Sequence, residues 1–298
     1  MTQINPASQN RNPGTSFCID LIENFSISDS EIKANVQIAQ QSQNDSLENL
    51  LSIFKCIDLT TLQGDDTAKR VKALCEKALS PIPSLDLQVA AVCIYPVFIE
   101  LAKNELKNTE IKIATVAAGF PHGLSPFSSR LDEVKSCAEM GADEIDIVIR
   151  RDYVLDGKWE QLYREVKAFK EAASPAKLKV ILATGELKTA ENIYRASLIA
   201  MMAGADFIKT STGKEEVNAT LEAGYVMMQA IKNYQKMFNL KVGVKPAGEI
   251  KIAAQALSWW YMLSKELGNE WQNPEFFRIG ASSLVDDILK KILFLMKK

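Results

Sequence analysis

From Leu50 to the C-terminal helix the chain alternates a short, β-prone apolar run with an amphipathic stretch, and it does so eight times. The runs are FKCIDLT (54–60), VAAVCIYP (89–96), IKIATVAAG (111–119), DEIDIVI (143–149), LKVILATG (178–185), DFIKTST (206–212), KVGVKPA (241–247) and FFRIGASS (276–283). Between them lie segments such as SSRLDEVKSCAEM and WEQLYREVKAFKEAA, where apolar residues recur at three- and four-residue spacing and form one greasy helix face. Strands alternating with helices imply a parallel sheet covered by helices, and eight such units are the number that closes a (β/α)8, or TIM, barrel. A barrel of this kind takes about 250 residues. The 298-residue chain therefore divides into an N-terminal extension, residues 1–45, and an α/β barrel domain, residues 46–298. An open doubly wound sheet is the weaker alternative, because no GxGxxG or GxxxxGK[ST] follows the early strands. The extension is rich in Asn, Gln and Ser around one apolar island, FCIDLIENF, which predicts loose order or a short docking helix.

Charge and cysteine usage exclude several function classes. Lys+Arg total 35 against 37 Asp+Glu, so no broad basic field invites nucleic acid. Five cysteines (Cys18, Cys56, Cys75, Cys93, Cys137) lack ligand spacing and fit free thiols in a reducing, cytoplasmic compartment. No apolar run reaches the ~18 residues of a membrane span, and the first residues lack the order of a secretory signal. One histidine, His122, argues against a His-based triad or a His-rich metal site, and as a loop residue in GFPHG it reads as packing.

The barrel expectation assigns side chains by parity, since alternate strand residues face the lumen and the helix layer. In DEIDIVI, Ile145, Ile147 and Ile149 take the greasy side, which turns Glu144, Asp146 and Val148 inward. The same rule places Asp58, Cys93, Lys209 and Lys245 in the lumen. Buried ionisable groups are expensive unless they serve one another or a substrate. Lys209, flanked by Phe207 and Ile208 and facing a charged Lys245, is expected to lose its proton readily and become a nucleophilic amine. Asp146 would then relay protons, and Asp58 would hold Lys245 charged and oriented. Cys93 is either a reactive thiol near two lysines or, more plainly, a small apolar wall residue.

A second constellation suits an anion. Gly213 and Lys214 follow the sixth run, Gly248 the seventh, and Gly280, Ser282 and Ser283 stand at the eighth, just before a helix. Small residues let backbone N–H groups approach an oxyanion, and loops after the seventh and eighth strands are where barrels commonly hold phosphate. Glu249 is discordant: a carboxylate directly after Gly248 disfavours phosphate unless it swings outward or pairs with Lys251.

KCIDLTTLQGDDT, VCIYP, IATV with GFPHG, GADEIDIVI, LKVILATGELKT, GADFIKTSTGK, VNAT, VGVKPAG and RIGASSL occur in this order. Together they resemble the 2-deoxyribose-5-phosphate aldolases, a class I aldolase family, from about Leu50 to the end, in its longer, eukaryote-type branch. The resemblance implies a (β/α)8 barrel that reversibly cleaves 2-deoxy-D-ribose 5-phosphate to acetaldehyde and D-glyceraldehyde 3-phosphate with no metal or organic cofactor. It implies Lys209 as the Schiff-base lysine, Lys245 as its perturbing neighbour and Asp146 as proton relay, with Asp58 and Cys93 in the pocket. The phosphate ligands would be Gly213, Lys214, Gly248, Ser282 and Ser283. The partner is a small sugar phosphate, and assembly into a homo-oligomer is left open. Three departures stand out. Glu249 replaces the family's second glycine, Val244 its phenylalanine, and the family's tyrosine tail has no counterpart after FLMKK, which is expected to slow proton transfer. A binding scaffold descended from an aldolase, or an aldolase for another sugar phosphate, are the competing expectations.

Overall fold

The computed structural model describes residues 11–297 except 43, 80, 81, 83, 84 and 86; the first ten residues of the expected extension lie outside the described residues. Eight parallel strands form one sheet: β1 (Ile57–Thr60), β2 (Ala91–Ile94), β3 (Lys112–Ala117), β4 (Glu144–Val148), β5 (Lys177–Ile181), β6 (Phe207–Lys209), β7 (Gly243–Lys245) and β8 (Ile279–Ala281). Their order is β7-β6-β5-β4-β3-β2-β1-β8. The remaining edge closes through bridges from Val244 to Phe277 and from Ala247 to Gly280, so the sheet is a barrel and not an open fan.

All eight strands fall where the sequence rhythm puts them, but they are shorter than the apolar runs. The sixth run shows why. Its pairing to β5 and β7 stops at Lys209, after which the Ser211 hydroxyl donates to the Ala247 carbonyl at 2.6 Å in place of a ladder bond. Lys209 therefore stands at the strand's C-terminal end, where a barrel opens to its loops.

Among the described residues three helices precede β1: α1 (Ile19–Glu23), α2 (Asp29–Gln41) and α3 (Leu47–Phe54). The segment before them is tied to the start of β6 by Asn12. Its backbone N–H donates to the Asp206 carboxylate at 2.9 Å, and its amide donates to the carbonyls of Met201 and Ala205. Asp206 also receives Lys170 at 2.6 Å and the Leu178 N–H at 2.7 Å, which anchors the strand that carries Lys209.

Around the sheet lie α4 (Ala68–Ala78), α5 (Ile99–Glu105), α6 (Phe127–Glu139), α7 (Arg151–Leu155), α8 (Trp159–Ala172), α9 (Ala190–Met202), α10 (Leu221–Phe238), α11 (Ala253–Leu267) and α12 (Leu284–Leu295). Threonine hydroxyls cap several of them: Thr189 accepts from the N–H of Asn192 and Thr220 from that of Ala223, each satisfying an otherwise orphaned donor. Trp259 of α11 lies against Gly224 of α10, where any β-carbon would meet the indole at 2.1 Å. Trp259 and its neighbour Trp260 are both buried and serve as core packing. No described helix is long and apolar enough to cross a membrane.

The parity argument holds in the packing. Ile57, Leu59, Val92, Ile94, Ile145, Ile147, Ile149, Ile208, Val242 and Val244 all belong to the large core between sheet and helices. A separate small cluster of Leu62, Ala91, Cys93, Ala114 and Val116, flanked by Tyr95 and Phe120, fills part of the lumen.

Candidate active site

The rest of the lumen is ionic. Lys209 Nζ donates to Asp146 Oδ2 at 2.8 Å, and Lys245 Nζ donates to the same oxygen at 2.8 Å. Lys209 and Lys245 are register partners on adjacent strands, so one carboxylate oxygen holds both amines side by side. Lys245 also lies 2.5 Å from Asp58 Oδ2. All four side chains are at most 3% exposed. Asp58, Asp146, Lys209 and Lys245 therefore meet as the strand parity requires.

Two further partners lie outside the expected set. Lys179, on β5, reaches Asp146 Oδ1 at 3.0 Å, Glu144 Oε2 at 2.5 Å and Asp58 Oδ2 at 3.4 Å. Below it, Arg278 forks onto Glu144 through Nη1 and Nη2 at 3.0 and 2.7 Å, and its Nη1 also contacts Asp58 Oδ1 at 2.7 Å. The signal for both is in the sequence. Leu178 and Val180 flank Lys179, and Phe277 and Ile279 flank Arg278, so both fall at the lumen parity.

Among the described residues the network holds four cations (Lys179, Lys209, Lys245, Arg278) and three carboxylates (Asp58, Glu144, Asp146). Fully ionised, it carries one uncompensated positive charge in a water-poor core, which is unfavourable. Lys209 is the member that relieves it. Desolvation is the largest influence on its amine; Asp146 opposes, Lys245 adds repulsion, and the result is a pKa below the ordinary lysine value. Lys245 and Lys179 are equally desolvated but each faces several carboxylates, and both are raised. Burial pushes the Asp146 carboxyl up, but Lys179, Lys209 and Lys245 more than offset it and hold it well below the usual carboxylate range. Asp146 is thus a fixed anion across which protons can pass between amines, and a weak base in itself.

Cys93 faces the lumen in the apolar cluster. Burial raises its thiol above the ordinary value despite the lowering effect of Lys245, so it is a protonated wall residue. His122 is exposed in its loop, where its carbonyl accepts from Arg151.

Above the network, Lys209 lines a cavity of about 190 Å³ whose other walls include Gly213, Lys214, Gly248, Gly280, Ser282 and Ser283. The six expected anion ligands and the low-pKa amine therefore share one chamber. Among the described residues, a larger cavity of about 400 Å³, between α2 and the loops after β5 and β6, holds none of the network residues.

Two details of the chamber differ from expectation. The N–H groups of Thr212, Gly213 and Lys214 donate to the Glu215 carboxylate at 3.0, 3.2 and 3.3 Å, while the Thr212 hydroxyl accepts from Lys214. The T-x-x-E spacing lets the Glu215 carboxylate fold back on the Thr212 N–H, the carboxylate half of a capping box, so these donors are already occupied. The Lys214 ammonium remains available over the mouth, 3.2 Å from Gln63 Oε1. Ser283, at the N-cap of α12, makes no side-chain capping bond. Glu249 also lines the chamber, and of the two ways in which it could be accommodated there, pairing with Lys251 is not seen among the described residues.

Residues 52–258 match the DeoC/LacD family aldolase model. Deoxyribose-phosphate aldolase from Homo sapiens is 49% identical over 255 residues, covering 82% of this chain and 80% of the human one. The Bos taurus enzyme of the same name is equally similar. Among solved structures, one described as a unique tetrameric structure of deoxyribose phosphate aldolase from Aeropyrum pernix superposes with a TM-score of 0.64 at 25% identity, covering 90% of this chain and all of that one. An aldolase designated QR15 gives 0.66 at 28% identity, covering 82% of this chain and 98% of its own. With a buried lysine pair at the strand ends, a closed eight-stranded barrel and a family match over more than half its length, the chain belongs to the DeoC/LacD family of aldolases.

Proposed function

We infer that this aldolase is of class I and reversibly cleaves 2-deoxy-D-ribose 5-phosphate to acetaldehyde and D-glyceraldehyde 3-phosphate through a Schiff base on Lys209. The observation that carries the reading is the four-to-three charge count, which makes Lys209 the group that gives up its proton and also the one that opens to the cavity. A neutral amine adds to the C1 carbonyl of the open-chain sugar, and loss of water gives the iminium. Removal of the C3 hydroxyl proton breaks the C2–C3 bond, releases glyceraldehyde 3-phosphate and leaves an enamine on nitrogen. Protonation at C2 and hydrolysis then free acetaldehyde and regenerate the lysine. Asp146 Oδ2, shared by the Lys209 and Lys245 amines, supports a relay in which Lys245 delivers and recovers protons. Lys214, Ser282, Ser283 and the N-terminus of α12 would hold the phosphate. Acetaldehyde release coupled to its reduction by NADH tests the reading, and a folded protein that forms none overturns it.

The intact network supports an enzyme over a binding scaffold. Assembly into a homo-oligomer rests on the tetramer described for the Aeropyrum pernix relative, and a cytoplasmic site on the five unpaired thiols.

The charge count also predicts a pH effect. In Lys245→Met the network has three cations and three carboxylates, so Lys209 can keep its proton without excess charge and its pKa rises. Below that raised pKa the amine is protonated and unreactive. The acid limb of the kcat/KM profile should therefore move to higher pH. Activity at neutral pH should fall at least about tenfold and recover in part as the pH is raised, the remaining deficit reflecting the lost proton relay. A pH profile of substrate cleavage checks this; an unmoved limb would show that Lys245 does not act on Lys209.

A further inference from the structure

The anion chamber has two unlike sides. On the β6 side the N–H groups of Thr212, Gly213 and Lys214 are satisfied by Glu215. Apart from the Lys214 ammonium over the mouth, the donors left for an incoming anion lie on the β7 and β8 side, where Ser282 and Ser283 are exposed and Ser283 makes no capping bond. Glu249 stands on that side.

Its backbone is in the left-handed region, with φ 67°, directly after Gly248 at φ 88°. A non-glycine residue held there costs on the order of 1–3 kcal/mol and persists only where the surroundings impose it. The surroundings are visible at Gly248, whose α-carbon packs so closely on Asn218 that a β-carbon would lie 2.7 Å from that side chain. Glu249 is exposed and lines the rim of the chamber, and among the described residues its carboxylate has no hydrogen bond or ion pair. An unpaired carboxylate beside the chamber repels a phosphate dianion and accepts a hydrogen bond from a neutral hydroxyl.

We propose that Glu249 is a specificity-determining residue that weakens binding of the phosphorylated end of the substrate, so that an unphosphorylated aldose with a free terminal hydroxyl competes for the same site. This rests on the reading above, in which the chamber receives the substrate's phosphate. Glu249 acts on recognition at the end of the substrate remote from Lys209, so its effect falls on KM.

The test compares wild type, Glu249→Gln and Glu249→Gly with 2-deoxyribose 5-phosphate, with 2-deoxyribose and with inorganic phosphate. Glutamine keeps the shape and removes the charge. Its KM for the phosphorylated sugar should fall about tenfold, the scale of a like-charge contact near a surface, while that for 2-deoxyribose stays or rises. Calorimetric titration with inorganic phosphate should show the same tightening without any turnover, and the difference should shrink at high ionic strength. A change below twofold for both phosphate ligands overturns the proposal, as does a parallel shift for both sugars. If wild type cleaves neither sugar, the functional reading has failed, and the inorganic phosphate titration still decides whether Glu249 repels the anion.

Discussion

Replacing Lys209 by leucine is expected to abolish turnover while leaving the fold as stable as wild type, or more so. Borohydride added to the wild-type protein with acetaldehyde should reduce the iminium to a stable secondary amine on Lys209, read as a mass increase on its peptide; the leucine variant should show none. Loss of the nucleophile removes the covalent route, so turnover should fall to the background of the assay. The stability expectation comes from the charge count. Breaking a buried ion pair is ordinarily costly because it strands a charge, but here the cation removed is the surplus one, and Asp146 keeps Lys179 and Lys245. The depressed pKa of Lys209 has the same meaning. Folding disfavours its ammonium form, so the residue subtracts from stability as the pH falls from the unfolded lysine range through the folded value. Lower urea resistance together with retained trapping elsewhere in the protein would refute both halves.

Much of this is legible in the sequence, for reasons that can be located. The eightfold rhythm implies the barrel because each amphipathic helix needs a sheet to bury its apolar face. Strand parity places Asp58, Asp146, Lys209 and Lys245 in one lumen because the strand repeat is two and the flanking Ile, Leu and Val residues identify the outer face. The same rule selects Lys179 and Arg278, whose flanking Leu178, Val180, Phe277 and Ile279 mark the outer face. Which carboxylate meets which amine is not legible, since it depends on the stagger of strands around the barrel. The sharing of Asp146 Oδ2 by two amines, from which the proton relay is argued, is of that kind. Glu215 escapes a sequence reading for another reason. The T-x-x-E spacing is a helix-start signal, but Thr212 to Val217 form no helix, so the Glu215 carboxylate closes a bare turn. Glu249 is discordant in sequence alone, but its left-handed backbone and the close approach of Asn218 to the preceding Gly248, a contact between separate loops, are visible only in the fold.

Arg278 carries the largest expected effect on stability, although it lies beneath the chemistry. In Arg278→Met, Glu144 Oε1 and Asp58 Oδ1 lose their guanidinium contacts in a fully buried setting. Removing one partner of such a pair costs about 3–5 kcal/mol. Urea unfolding should show that loss as a lower midpoint with an unchanged slope. Its pH dependence follows from the carboxylates. In wild type Asp58 and Glu144 are desolvated, which alone would raise them, but Lys245, Lys179 and Arg278 hold Asp58, and Arg278 and Lys179 hold Glu144, below their ordinary values. Groups lowered in this way add stability that is present above the unfolded carboxylate range of about 4 and is lost as the pH falls through the folded values. The variant lacks much of that contribution, so the gap should be widest near neutral pH and narrow in acid. With one cation gone, Lys209 should also retain its proton to higher pH, and the surviving activity should show its acid limb displaced upward as in Lys245→Met. A stability loss with an unmoved limb would mean that Arg278 braces the barrel without sharing in the charge balance that sets the reactive amine.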